Sequence, residues 1–207
     1  MIIYEPITEI RPDRDVLRCL PESDAEKQAL LEKQAAFGIG AFEDGIFVGS
    51  VWFYWIAAAD SMSTAPEWSG WHQNAVGFAQ VRANLARQAY PILGLDCFHV
   101  GRTKALESEN RNDENYFRKG IGTNLLENAI FWAQTHEIKT VIAYSGIDSF
   151  PEFNLWSGRL PLKVYMQHAF QVIHSQEAIQ NIPGHLQDLS SAADSAKMKM
   201  GIVARTL

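Results

Sequence analysis

The apolar and polar residues of this chain form periodic patterns that predict helices and strands in alternation. Residues 25–35 are helix formers, and Ser23 with Glu26 has the spacing of a capping box at the start of that helix. Residues 120–136 carry apolar side chains every three or four positions, which is typical of an amphipathic helix. A shorter helix is predicted at 160–168. The chain therefore contains helices with an apolar face that needs a sheet or another helix to cover it.

The strand patterns predict one hairpin and several strands separated by helices. The step Asp44-Gly45 lies between two apolar runs and suits a tight hairpin connection. Strands are predicted at 2–7, 37–42, 46–56, 92–100, 139–145, 169–174 and 198–204. This order predicts an α/β fold with a mixed sheet. We expect a single domain over 1–207, with an insertion at about 57–90 and a long loop at about 101–116.

Composition and charge exclude several classes of protein. Hydrophobic residues make up 47% of the chain and charged residues 20%, which is too apolar for a disordered protein. No apolar run reaches the roughly 18 to 20 residues that a membrane-spanning helix needs. The formal net charge of −6 has the wrong sign for a surface that neutralises many phosphates. We therefore expect neither a membrane nor a nucleic acid as a partner.

The two cysteines and the amino terminus predict a cytoplasmic protein. Cys19 and Cys97 form no CxxC pair and no zinc-binding spacing, so we expect two reduced thiols and no metal site. No histidine and acidic partner can be assigned to Cys97, which favours a core residue over a nucleophile. The first residues lack the basic stretch and apolar block of an export signal.

The segment Phe117-Arg-Lys-Gly-Ile-Gly-Thr123 is the motif most informative about chemistry. Its two glycines allow the backbone to approach an anion closely, and the amides that begin the following helix point outward with the positive end of the helix dipole behind them. Two basic side chains precede the first glycine. The segment matches neither a P-loop nor a complete GxGxxG motif. It predicts a pyrophosphate site, although an ordinary turn into a helix has the same pattern.

Residues 93–170 resemble the GCN5-related N-acetyltransferase (GNAT) family. In that family a strand is followed by an Arg/Gln-x-x-Gly-x-Gly/Ala turn and its helix, then by a second strand and a helix with a tyrosine shortly before a Gly-Phe pair. The corresponding segments here are 95–100, 117–122 and 139–145, followed by Tyr165 and Phe170. Phe117 replaces the usual Arg or Gln, Ala169 replaces the glycine, and the loop 101–116 is about ten residues longer than usual.

The resemblance implies a GNAT-like acyl-CoA N-acyltransferase fold, with a central mixed, mostly antiparallel sheet flanked by helices. It implies acetyl-CoA as the donor, with the pantetheine arm paired to backbone groups near His99 and Val100. The pyrophosphate would be held by the amides of Arg118, Lys119, Gly120, Ile121, Gly122 and Thr123. The implied reaction is direct transfer of the acetyl group to an amine in a ternary complex.

The resemblance also implies a role for Tyr165, which occupies the position from which the family's tyrosine protonates the departing thiolate. A phenol with a pKa of about 10 is protonated at neutral pH and can donate to a thiolate. The base that deprotonates the amine is less defined. Asp96 is the first candidate, and by strand alternation it is expected to share a face with Phe98 and Val100. The alternatives are His99, on the same predicted strand, and Glu152, in a predicted loop.

Aromatic residues are concentrated where an acceptor would be expected. Half of the rings in 52–55 should face the core by alternation, and the rest could line an acceptor pocket that Trp68 and Trp71 close. The predicted acceptor is a primary amine of a small molecule or peptide, and a homodimer is possible. Two other functions stay open: a non-catalytic acyl-CoA-binding module and a protein-interaction domain.

Overall fold

A computed structural model describes residues 1–10, 23–58, 84–101, 116, 118–177 and 199–207. Within this part of the chain there are seven strands and four helices. The strands are β1 (Ile2–Pro6), β2 (Gly38–Glu43), β3 (Ile46–Ile56), β4 (Ile92–Val100), β5 (Thr140–Tyr144), β6 (Gln171–Glu177) and β7 (Lys199–Thr206). The helices are α1 (Asp24–Gln34), α2 (Ile121–Thr135), α3 (Pro151–Ser157) and α4 (Leu162–Gln167).

The seven strands form one sheet in the order β1-β2-β3-β4-β5-β7-β6. All neighbours are antiparallel except β4 and β5, which are parallel. The predicted hairpin is confirmed: Asp44 and Gly45 connect β2 to β3 with φ values of 52° and 80°. The N-cap half of the predicted capping box is confirmed as well, because the hydroxyl of Ser23 accepts a hydrogen bond from the amide of Glu26. The mixed, mostly antiparallel sheet predicted from the sequence is therefore present.

Helix α2 covers one face of the sheet with its apolar side. Leu125, Ala129 and Ala133 are completely buried in the main core cluster, and the ring of Trp132 lies 5.0 Å from that of Phe53 on β3. A second cluster on the opposite face comprises Tyr54, Ile56, Leu85, Ile92, Ile142, Tyr144, Ile202 and Ala204. Apolar side chains thus cover the central strands on both faces, which accounts for their nearly continuous hydrophobic sequences.

A bulge in β4 reverses which residues face α2. Leu93 and Leu95 belong to the core cluster on the α2 side, but so does Phe98, which would point away if alternation continued. The change occurs at Cys97, whose φ of 54° lies in the left-handed region, where the pairing with β3 also shifts register. The prediction that Asp96 shares a face with Phe98 was therefore wrong, because an extra residue between them inverts the alternation.

The pairing of β4 with β5 ends before the strands do, and a gap opens between them. The ladder runs from Ile92 opposite Thr140 to Leu95 opposite Ala143. Beyond that point the amide of Phe98 donates to the carbonyl oxygen of Gly158 at 2.7 Å, in the connection between α3 and α4. The end of β4 therefore separates from β5 at the carboxyl ends of both strands.

Two further predictions were wrong. Residues around Glu152 were expected to form a loop, but they form α3, which begins with Pro151 at its first turn, where a missing amide hydrogen costs nothing. Cys97 was expected to be a reduced thiol, but it is disulfide-bonded. Cys19, the other cysteine in the sequence, lies outside the described residues.

Most of the predicted insertion and of the predicted long loop lies outside the described residues, as do Trp68, Trp71, His72 and Phe117. None of the helices in the part of the chain that the structure covers is long and apolar enough to span a bilayer.

Candidate active site

The glycine turn, residues 118–123, leads directly into α2. Gly120 caps the helix with φ 75°, and the first intrahelical hydrogen bond runs from the amide of Asn124 to the carbonyl of Gly120 at 2.9 Å. The amides before Asn124 consequently have no acceptor within the helix. Among the described residues no side chain caps this end, and its first turn contains no acidic residue. These features together are typical of a helix start that binds an anion.

Basic side chains flank the glycine turn. Arg118 and Lys119 are exposed, and Arg118 has a left-handed φ of 59°, which non-glycine residues seldom adopt and which often marks a functional turn. The ammonium of Lys119 lies 4.9 Å from the ring centroid of Tyr116, whose hydroxyl donates to Glu43 at 2.9 Å. The aromatic ring therefore holds a cation beside the free amides.

The glycine turn lies against the end of β5. A Cβ atom on Gly122 would be 2.8 Å from Cδ2 of Leu160, and the carbonyl of Leu160 accepts a hydrogen bond from the amide of Gly146 at 2.7 Å. Gly146 follows β5 by two residues. The amides of the turn are thus placed at the same end of the sheet as the gap between β4 and β5.

The backbone of β4 beyond the bulge offers Val100 rather than His99 to that gap. The amide of Gly101 donates to Val48 on β3 at 2.8 Å, and alternate residues direct their backbone groups to the same side of a strand. His99 shares that side, and its carbonyl oxygen would lie 2.7 Å from a Cβ on Gly49 of β3. The backbone groups of Val100 consequently point away from β3. The imidazole of His99 is buried, with Nε2 3.5 Å from Sγ of Cys97.

Tyr165 on α4 is completely buried, and its hydroxyl has no hydrogen-bond partner among the described residues. Its ring packs edge-on against Phe98 at 6.4 Å and against Phe170 at 5.3 Å. Burial raises the pKa of Tyr165 well above its ordinary value; Arg159 opposes this shift and Asp96 adds to it. A buried donor without an acceptor is costly, so its presence suggests an acceptor supplied by a ligand.

Tyr165 belongs to a larger group of ionisable side chains, the buried polar cluster, whose members influence one another electrostatically: Tyr54, Asp96, Tyr144, Arg159 and Tyr165. Burial raises the pKa of Tyr144 to about 12 and that of Tyr54 well above its ordinary value. Tyr54 and Tyr144 pack in the apolar cluster on the face opposite α2. The carboxylate of Asp96 accepts a hydrogen bond from the amide of Cys97 at 2.9 Å, directly at the bulge.

Several other polar side chains near the site have different surroundings. Both amide atoms of Asn154 bind the backbone of Ile147, at 2.6 and 2.7 Å, which fixes the loop after β5. Glu152 is exposed on α3. The disulfide at Cys97 removes its sulfur as a nucleophile. Within the described residues no three His, Cys, Asp or Glu side chains come together as a metal site.

Sequence reasoning missed Arg159 and the roles of Tyr54 and Tyr144. Tyr54 and Tyr144 lie in apolar strand sequences, where a tyrosine is hard to distinguish from a packing residue. Gly94 offered a weak signal, since a Cβ there would overlap the ring of Tyr54. Arg159 directly follows Gly158, the left-handed C-cap of α3, but α3 itself had been missed.

No protein-family model matches the chain, and no curated protein matches it. Solved structures, in contrast, do match the chain. A mosquito arylalkylamine N-acetyltransferase like 5b is 10% identical, with both chains covered completely and a TM-score of 0.56. A GNAT-family acetyltransferase from Streptococcus pneumoniae is 16% identical, with both chains covered completely and a TM-score of 0.51. The NatC complex bound to Gag peptide and CoA is 13% identical, with 100% of this chain and 98% of the other covered and a TM-score of 0.50.

At these identities the similarity establishes the fold. The chain has the fold of the GNAT acetyltransferases, and the fold predicted from the motifs in 93–170 is confirmed.

Proposed function

We propose that the protein transfers an acetyl group from acetyl-CoA to a primary amine by direct attack in a ternary complex. The observation that carries this proposal is the position of the glycine turn, whose free amides open beside the gap between β4 and β5. The hydroxyl of Tyr165, which has no partner among the described residues, lies buried nearby. The GNAT fold supports it, because the structures with this fold include an arylalkylamine N-acetyltransferase and the NatC complex bound to a peptide and CoA.

In this proposal the glycine turn binds the pyrophosphate of acetyl-CoA. The amides of residues 118–123 supply donors, Lys119 and Arg118 supply positive charge, and the dipole of α2 adds to both. The backbone of Val100 pairs with the pantetheine arm as an added strand would, since its groups point away from β3. The thioester then lies in the gap.

The acyl transfer requires one proton donor and one proton acceptor. The amine attacks the thioester carbonyl carbon in its neutral form, the bond from that carbon to sulfur breaks, and sulfur leaves with the electron pair. Tyr165 donates its proton to this thiolate, and its raised pKa keeps it protonated over the whole neutral range. Asp96 accepts the proton of the amine, directly or through water, from the bulge of β4.

Replacement of Tyr165 by Phe tests the proposal. We expect turnover to fall by about tenfold or more, and the affinity for acetyl-CoA to change little, because the phenol acts on the leaving group. The free energy of unfolding should stay equal or rise by about 1 kcal/mol, since the substitution removes an unpartnered buried hydroxyl. Release of free thiol with an amine panel gives the rate, and calorimetry gives the affinity.

Tyr90→Phe is the control, because that partly buried phenol lies outside the buried polar cluster, where its hydroxyl donates to the carbonyl oxygen of Leu85 at 3.2 Å. Equal effects of both variants, or undiminished turnover in Tyr165→Phe, would remove Tyr165 from the mechanism. Tight binding of CoA without thiol release for any amine would favour the alternative of a non-catalytic acyl-CoA-binding module. Failure to bind CoA would favour an interaction domain.

A further inference from the structure

Arg159 is a cation inside the buried polar cluster that the proposed mechanism does not use. Its guanidinium carbon lies 5.0 Å from the ring centroid of Tyr144, and its Nη1 lies 4.0 Å from the sulfur of Met200. Met200 lies on the same side of β7 as Ile202 and Ala204, because alternate residues of a strand share a face. Ile202 and Ala204 pack in the cluster on the face opposite α2. Arg159 therefore lies on the face of the sheet opposite the glycine turn.

The guanidinium has no negatively charged acceptor within the part of the chain that the structure describes. Among the described residues no carboxylate lies within 4.0 Å of it, and no oxygen atom accepts a hydrogen bond from its side chain. Asp96 acts on it electrostatically from farther away. Burial lowers the pKa of Arg159, although an arginine remains charged at neutral pH. A partly buried cation with unused donors is unfavourable unless another group completes it.

We propose that Arg159 binds a carboxylate of the acceptor, so that the substrates are amines that also carry a carboxylate, such as amino acids. The planar guanidinium can bind both carboxylate oxygens by parallel hydrogen bonds, which an ammonium group cannot do. The inference rests on the proposed acetyl transfer and adds the chemical class of the acceptor to it. In the same complex, Asp96 faces the amine of a zwitterionic substrate while Arg159 faces its carboxylate.

The location favours the acceptor over the anions of the cofactor. The glycine turn already supplies donors for the pyrophosphate, and it lies at the start of α2, on the other face of the sheet. A diamine would place its second positive charge beside Arg159, where like charges repel. An acyl donor with a carboxylate of its own would satisfy the same guanidinium, so the experiment includes such a donor.

The test compares matched acceptors in the wild type and in Arg159→Gln. Each acceptor set contains an amino acid, its amide and the corresponding amine without the carboxyl group, built on aromatic, aliphatic and lysine side chains. We expect wild-type kcat/KM to favour the carboxylate member over the amide by about tenfold or more, and the variant to lose that preference. Arg159→Lys should keep part of it. Lys139→Gln removes an exposed charge just before β5 and should keep all of it.

Three results would overturn the inference. The first is a wild type whose kcat/KM does not favour the carboxylate acceptor, and the second is an equal loss of kcat/KM for all three acceptors in Arg159→Gln. The third is a wild-type preference for succinyl-CoA over acetyl-CoA that Arg159→Gln loses and Lys139→Gln keeps.

If no amine is acetylated, acetyl transfer itself fails. Calorimetry of the CoA-loaded protein with N-acetylphenylalanine and its amide then still decides the role of Arg159. Tighter binding of the acid that disappears in Arg159→Gln supports the inference, and equal binding of both refutes it. Unchanged CoA affinity in Arg159→Gln shows that the variant is folded.

Discussion

The glycine turn and the buried polar cluster lie at the same end of the sheet but are built in opposite ways. The turn is largely exposed, and its donors are backbone amides that need only small residues and a helix start. The cluster is formed by side chains from β3, β4, β5, α4 and the connection before α4. Burial shifts the pKa values of its tyrosines and of Arg159.

This difference separates a site that tolerates many diphosphate ligands from a site that selects one acceptor. Backbone donors bind a diphosphate whatever the attached molecule is, which suits a common cofactor. Buried side chains with fixed positions bind or reject a particular acceptor, because each unpaired group among them is costly. We therefore expect substitutions in the turn to change cofactor affinity, and substitutions in the cluster to change turnover, selectivity and stability.

The largest effect is expected from a methyl group on Gly94. A Cβ there would overlap the ring of Tyr54, and both the strand backbone and the ring are buried. Gly94→Ala should lower the free energy of unfolding by about 3 kcal/mol. The same substitution at Gly122 meets only the flexible end of Leu160 and should cost much less. Urea denaturation of the two variants measures both, and equal losses would show that the cluster is no more tightly packed than the turn.

The second effect concerns the charge of the glycine turn. Gly122→Asp places a carboxylate at the start of α2, next to the expected diphosphate, so the affinity for CoA should fall by about 2 kcal/mol, or roughly 30-fold. Gly122→Ala isolates the contribution of bulk. Calorimetric titration with CoA compares them. Unchanged affinity in Gly122→Asp would place the phosphates elsewhere.

The third effect is a loss of stability in alkali that comes from the cluster. Burial raises the pKa of Tyr144 to about 12 and that of Tyr165 further. Above the unfolded pKa of about 10, the unfolded chain loses protons that the folded chain keeps, so stability falls by about 1.4 kcal/mol per pH unit for each such tyrosine. Denaturation between pH 9 and about 11.5 should show this decline in the free energy of unfolding. Tyr144→Phe and Tyr165→Phe should each make the decline shallower by about 1.4 kcal/mol per pH unit. An unaltered slope would contradict the shifts.

The smallest effect is expected at the rim of the turn. Lys119→Met removes an exposed cation, which should weaken CoA binding by about 0.5 to 1 kcal/mol at low salt and less at high salt. Tyr116→Leu removes the ring that holds this ammonium and should produce a similar loss. A titration of CoA at two salt concentrations checks both variants. If neither variant weakens binding at low salt, Lys119 does not contact the phosphates.

Local patterns made most of the elements predictable. The predicted strand at 92–100 coincides with β4, and the predicted helix at 120–136 matches α2 to within one residue at each end. These elements are governed by periodicity and by helix-terminal residues, which act over a few positions. The bulge at Cys97 was not predictable, since a left-handed cysteine in an apolar strand is imposed by its neighbours in space.

The sequence by itself determined the order of the elements, the mixed sheet and the glycine turn, because each depends on residues that are neighbours along the chain. The tertiary structure alone decided which side of β4 Asp96 faces, that β4 and β5 separate, and that Arg159 joins two tyrosines and a carboxylate. Those facts depend on contacts between residues far apart in sequence, and such contacts follow from how the sheet is bulged and covered rather than from any local pattern.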